Sequence, residues 1–93
     1  MQQTKSGSTL ILSGNIDNNS VTVDTFRTFQ ENLHGVEKIV FQDVNRVDST
    51  VIALLAATKR SLKDNFPKLE NIPQATQDLL NLYTIDINDW ICS

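Results

Sequence analysis

Cysteine is nearly absent from this 93-residue chain, Cys92 standing alone, which excludes an internal disulfide and removes any need for an oxidising compartment. Proline and glycine are scarce as well, at two and three residues. Gly7, Gly14 and Gly35 lie too far apart to form a phosphate-cradling loop. One histidine, His34, and no grouping of His, Cys and carboxylates at ligand spacing argue against a metal site. Long apolar runs are missing too, since nothing approaches the roughly 18 consecutive apolar residues of a membrane span. The opening MQQTKSGS lacks the charged and apolar regions of a signal peptide, so a cytoplasmic protein is expected. Basic residues number eight against eleven acidic ones, for a net charge of −3. They are dispersed from Lys5 to Lys68, so the sequence predicts no groove for nucleic acid.

What is present suits one compact domain over residues 1–93, because 40% hydrophobic content in so short a chain can cover one sheet with a layer of helices. Ser8 to Ser13 (STLILS) reads as a strand running into a turn at Gly14, followed by the turn-forming run Asn15, Asp17, Asn18, Asn19 and Ser20. Asp24 and Thr25 are candidate N-caps of a helix to about Leu33, with Val23, Phe26, Phe29, Gln30 and Leu33 at helical spacing and Gly35 as its stop. Lys38 to Asp43 (KIVFQD) predicts a second strand, whose Ile39-Val40-Phe41 run suggests cover on both faces. A turn through Val44 to Val47 then leads to a helix from about Thr50 to Asp64. Phe66 to Asn71 can form a short strand, which Pro67 pushes toward an edge or a strand beginning. Pro73 would open a third helix at its first position, with Ala75, Leu79, Leu80, Leu82 and Tyr83 as its apolar side. The closing TIDINDWICS fits a terminal strand or a packed hook. Strand and helix alternate, which argues for an α/β layer with parallel crossovers and helices mostly on one side.

Candidates for chemistry are few. His34, beside Gly35 at a helix C-terminus, suits the helix dipole. A Cys92 and His34 pair would place its nucleophile at the penultimate residue. Asp17, Asp43 and Asp48 could approach one another at strand ends, yet nothing poises any of them as a general acid. Asp48 and Ser49 carry no accompanying base or oxyanion arrangement for hydrolysis. The sequence therefore predicts no catalytic residue, no metal and no cofactor.

The most informative stretch is NRVDSTVIALLAATKR, Asn45 to Arg60. Ser49 or Asp48 at the N-cap would satisfy helix N–H groups, worth about 1 kcal/mol, and the same helix end favours an added phosphate. Residues spaced at about 100° put Val51, Leu54, Leu55, Thr58 and Leu62 on one face, and Ala53, Ala56, Ala57 and Arg60 on the other. That second face is smooth enough for a partner's helix to approach closely, with Ile52, Lys59, Arg60 and Lys63 along its border.

With a strand, an Asn/Asp-rich turn, a helix, the strand IVFQDVNRVDST and the apolar helix VIALLAATKR in this order, the chain resembles the STAS-domain family over essentially its whole length. Within that family it is most similar to the small cytoplasmic STAS subunits of ABC transporters that move phospholipids between the bacterial inner and outer membranes. That likeness is carried by LILSGNID at Leu10 to Asp17 and VNRVDSTVIALLAATKR at Val44 to Arg60, both hallmarks of the family, and by LLNLYTIDINDW at Leu79 to Trp90, which points to the transporter subunit. The resemblance implies a STAS fold, with a small mixed sheet of about four strands and helices packed mainly on one side. It also implies no catalysis by this chain. The partner would be the transporter's ATPase subunit, within an inner-membrane permease complex and without direct membrane insertion. The contact surface would comprise Asp17, Asn18, Asn19, Asp48, Ser49, Thr50, Ile52, Ala53, Ala56, Ala57 and Arg60. The family's phosphorylatable or partner-contacting position falls on Ser49, with Thr50 as a rival hydroxyl. Where the family commonly has glycine two or three residues after the aspartate, this chain has Thr50 and Val51. An alternative within the family is an anti-anti-sigma factor switched by serine phosphorylation.

Overall fold

A computed structural model describes residues 1–83 of the chain. The expected strand or hook of the closing decapeptide, and with it Cys92, lies outside the described residues. Seven elements follow in order: β1 (Gln2–Ser6), β2 (Thr9–Ile16), α1 (Val23–Asn32), β3 (Lys38–Val47), α2 (Thr50–Ser61), β4 (Lys68–Glu70) and α3 (Gln74–Leu82). The sheet runs β1-β2-β3-β4. Its first pair is antiparallel and the next two are parallel.

The polar start of the chain is itself a strand, which sequence reasoning missed because QQTKS has no apolar alternation. Gly7 turns the β1–β2 hairpin at φ +60°, a conformation in which only glycine is unstrained. The strand is held on α1 by polar reach. Gln3 Nε2 donates to the Thr25 carbonyl at 3.2 Å, Asn32 Nδ2 donates to Gln3 Oε1 at 3.1 Å, and Lys5 Nζ donates to the His34 carbonyl at 2.6 Å.

Burial in β2 and β3 alternates along each strand. Leu10, Leu12 and Ile16 from β2 meet Ile39 and Phe41 from β3 in the core, with Phe29, Leu33, Val36, Val51 and Leu54. Val40 is only half-buried, so β3 is interior in the sheet but not covered equally on both faces. It also runs on to Val47, through the segment expected to turn. The pairing with β2 shifts register on either side of Gly14, and Asp43 takes a positive φ of 51°. These bulges let the strand bend and continue where a short turn was expected.

Helix limits differ from expectation for identifiable reasons. Thr22, not Asp24 or Thr25, caps α1, its Oγ1 accepting from Thr25 N at 3.2 Å. Phe29 and Leu33 enter the core, while Val23 and Gln30 stay outside. Helix α2 stops at Ser61, short of Asp64, as Leu62 departs from helical dihedrals. Pro73 is the cap of α3 rather than its first helical residue. The inner side of α3 is Thr76, Leu79 and Leu80, while Ala75, Leu82 and Tyr83 are exposed.

Thr58 and Thr76 are both fully buried, with different outcomes. Thr58 Oγ1 donates to the Leu54 carbonyl at 2.8 Å, whereas Thr76 Oγ1 has no partner among the described residues. Because an unsatisfied buried hydroxyl is destabilising, Thr76→Val, nearly identical in shape, is expected to raise stability by about 1 kcal/mol. Urea denaturation checks this, and an unchanged or lower midpoint contradicts it.

Candidate docking site

The parallel strands β2 and β3 end side by side, and the loops leaving them start α1 and α2 at the same edge of the sheet. Asp17, the residue after β2, has an 8% exposed side chain. Its Oδ1 accepts from Ser20 N at 2.8 Å, and its carbonyl accepts from Ser20 N and Val21 N at 3.1 and 2.9 Å. The Asn-rich run is thereby wound into a tight turn that leaves Asn18 and Asn19 exposed. This follows from the local bonding habit of Asp and Asn.

Asp48, the residue after β3, ties the two loops together. Its backbone N–H donates to the Ile16 carbonyl at 3.1 Å. One carboxylate oxygen accepts from Asn18 N at 3.0 Å and the other from Thr50 N at 2.8 Å. The capping group of α2 is therefore the Asp48 carboxylate. Ser49, although at the N-cap position, makes no side-chain cap bond and is exposed. The Ser49 hydroxyl is therefore not engaged in capping, which falls to its neighbour Asp48.

Both carboxyl groups are held below the usual carboxylate range. For Asp17 the main cause is the hydrogen bond from the Ser20 side chain, then that from its backbone; burial and the Asp48 charge oppose, and Arg46 assists. For Asp48 the Thr50 side chain dominates against partial burial, helped by the Asn18 and Thr50 backbone and by Arg46. Two carboxylates can share this edge because N–H and O–H donors satisfy them locally.

Of the expected surface, Asp17, Asn18, Asn19, Asp48, Ser49 and Thr50 come together at this edge. Ile52 and Ala56 are half-buried on α2, and Ala53 and Arg60 are exposed. Arg60 lies on the same stripe but about 16 Å along the helix from Ser49, at 1.5 Å per residue. Ala57 does not belong to the surface: it is 1% exposed. Helix α2 packs against both α1 and α3, so its buried arc is wider than that of a helix lying on a sheet alone, and Ala57 falls within it. Asp43 sits within β3 rather than with Asp17 and Asp48. No group of three or more metal-ligating side chains occurs among the described residues, and no helix among them is long and apolar enough to cross a membrane. Arg46, whose charge reaches both carboxylates, was not singled out in the sequence; its position opposite Asn15 follows from a bulged register that no local pattern encodes.

The described residues form a four-stranded mixed sheet in sequential order with three helices, the first strand antiparallel and the others joined by parallel crossovers, which is the STAS fold. Among solved structures, that of the anti-sigma factor antagonist SpoIIAA in its unphosphorylated form matches with a TM-score of 0.65 over 97% of this chain and 84% of that one, at 15% identity. No family model and no curated protein matches the chain.

Proposed function

We propose that this chain is a non-catalytic docking subunit that binds the ATPase of an Mla-type ABC transporter and supports its assembly or activity. Its role would be that of MlaB-like STAS subunits in maintaining outer-membrane lipid asymmetry, held at the inner membrane through the complex. The observation that carries the docking reading is the Asp48 staple. Both of its oxygens are committed to fixing the Asn18 turn and the start of α2, which leaves a preorganised edge with Ser49 outward and the Ile52, Ala53 and Ala56 stripe beside it. Rigid presentation of this kind lowers the ordering cost of association. The choice of an ATPase partner rests on the sequence resemblance. ATP is then a ligand of the partner, and docking shifts the partner's conformational population by its difference in affinity.

A second reading, an anti-anti-sigma factor switched at Ser49, is favoured by one observation: the Ser49 hydroxyl is exposed and free of the cap. Affinity capture from native cells with mass spectrometry separates the two. An ABC ATPase with its permease is expected; a serine kinase and an anti-sigma factor, together with a mass shift of one phosphate on Ser49, would replace the first reading with the second. Ser49→Glu is expected to leave the fold intact, because an acidic side chain is favourable at a helix N-terminus. It should cut capture of the partner by at least about tenfold. Wild-type recovery by this variant would contradict the proposed surface.

A further inference from the structure

Helix α3 carries the chain to the end of the domain opposite the Asp48 edge. It follows β4, which lies parallel to β3, just as α2 follows β3, and it packs against α2. Both helices therefore leave the same edge of the sheet and run back towards the end at which the parallel strands begin. At that end the last residues of α1 and α2 and the loops entering β3 and β4 enclose a cleft of about 630 Å³. Its apolar lining is Val36, buried, Leu62, half-buried, and Phe66, 9% exposed. Its polar rim is His34, Glu37 and Asn65, all exposed. Clefts of this size seat compact apolar groups.

We infer that residues 84–93 of this same chain occupy the cleft, with the Trp90 indole against Val36, Leu62 and Phe66. Three observations name the occupant. Apolar surface is left open where the chain leaves α3, since Leu82 is 71% and Tyr83 51% exposed. The ten residues that follow include Ile85, Ile87, Trp90 and Ile91, side chains seldom left in water. Their reach is sufficient, because ten extended residues span about 33 Å and the longest dimension of the domain is 28 Å. The inference does not depend on which partner the Asp48 edge binds. A cleft filled from within is closed to other chains, so the opposite edge is left as the face for docking.

The test uses the full chain with its own Cys92, two residues beyond Trp90. A second cysteine is placed singly by Asn65→Cys, Glu37→Cys or Ser61→Cys, and disulfide closure within one molecule is followed in dilute oxidising solution. Asn65 and Glu37 stand on the rim of the cleft, whereas Ser61 ends α2 outside its lining. All three are exposed, so the fold should persist, which circular dichroism checks. A disulfide needs Cα atoms within about 7 Å. Asn65→Cys or Glu37→Cys is therefore expected to close with Cys92 at least about tenfold faster than Ser61→Cys. In the wild-type chain acrylamide should quench Trp90, the one tryptophan, far less than free tryptophan. Equal rates at the three positions, closure at none of them, or fastest closure in Ser61→Cys would overturn the inference. So would a Trp90 quenched as readily as free tryptophan.

Discussion

Ala57→Arg is expected to unfold the domain, whereas Ala53→Arg, one turn earlier on the same helix, is expected to leave it folded and unable to bind its partner. Ala57 is 1% exposed, so an arginine there must overpack the layer between α2 and its neighbours and bury an unpaired charge, at a cost above about 3 kcal/mol. A domain of this size has only about 5 to 15 kcal/mol of total stability. Ala53 is exposed, and arginine is as good a helix former as most residues, so the fold should hardly respond. The same long cation would stand in the way of close approach across the stripe, and capture should fall by at least about tenfold. Circular dichroism and partner capture on the two variants read the two effects separately. A folded Ala57→Arg, or an Ala53→Arg that binds normally, contradicts the assignment of these faces.

Asp48→Asn should weaken both the fold and the site, and its effect should depend on pH. At neutral pH the carboxylate accepts from Asn18 N and from Thr50 N. An amide has one oxygen in place of two, so one of those donors loses its partner, for a cost of about 1 to 2 kcal/mol. Asp48 is held below its ordinary value in the folded state, chiefly by the Thr50 side chain. A depressed carboxyl adds stability that is fully present above the unfolded pKa, about 4, and is lost as pH falls through the lower folded value. The gap between wild type and Asp48→Asn is therefore expected to be constant from neutrality down to about pH 5, and to close as the solution is taken below about pH 4. Urea titrations at several pH values measure it. A gap that widens on acidification would contradict the staple.

The sequence and the structure agree where a local pattern decided the outcome. The branched apolar runs of β2 and β3, the spacing of Phe29 and Leu33, and the Val51, Leu54, Leu55 and Thr58 face are properties of short segments, and periodicity finds them. The elements that escaped depend on partners distant in the chain. Strand β1 is polar and is recognisable only through Gln3 reaching α1 and Lys5 reaching the His34 carbonyl just beyond its end. The far half of β3 depends on bulges in its register against β2, and the burial of Ala57 depends on the helices flanking α2.

The candidate site divides in the same way. The residue types at its edge, Asp17, Asn18, Asn19, Asp48, Ser49 and Thr50, were legible because turn and cap chemistry is local. Which oxygen caps which amide was not, since Asp48 reaches both its own helix and a turn 30 residues away. The family likeness named the position of Ser49 but not that its hydroxyl would be relieved of capping. Val23, which helical spacing pointed inward, is exposed at the first turn of α1.

A chemical-shift map of the isotope-labelled domain titrated with the purified ATPase subunit tests the docking claim most directly. The largest shifts and broadening are expected on Asn18, Asn19, Ser49, Ile52, Ala53 and Ala56, along one edge of the sheet. Opposite that edge is a cleft of about 630 Å³ lined by His34, Val36, Glu37, Leu62, Asn65 and Phe66, which should be silent. Perturbation centred on that cleft, with the Asp48 edge unmoved, would place docking elsewhere on the domain.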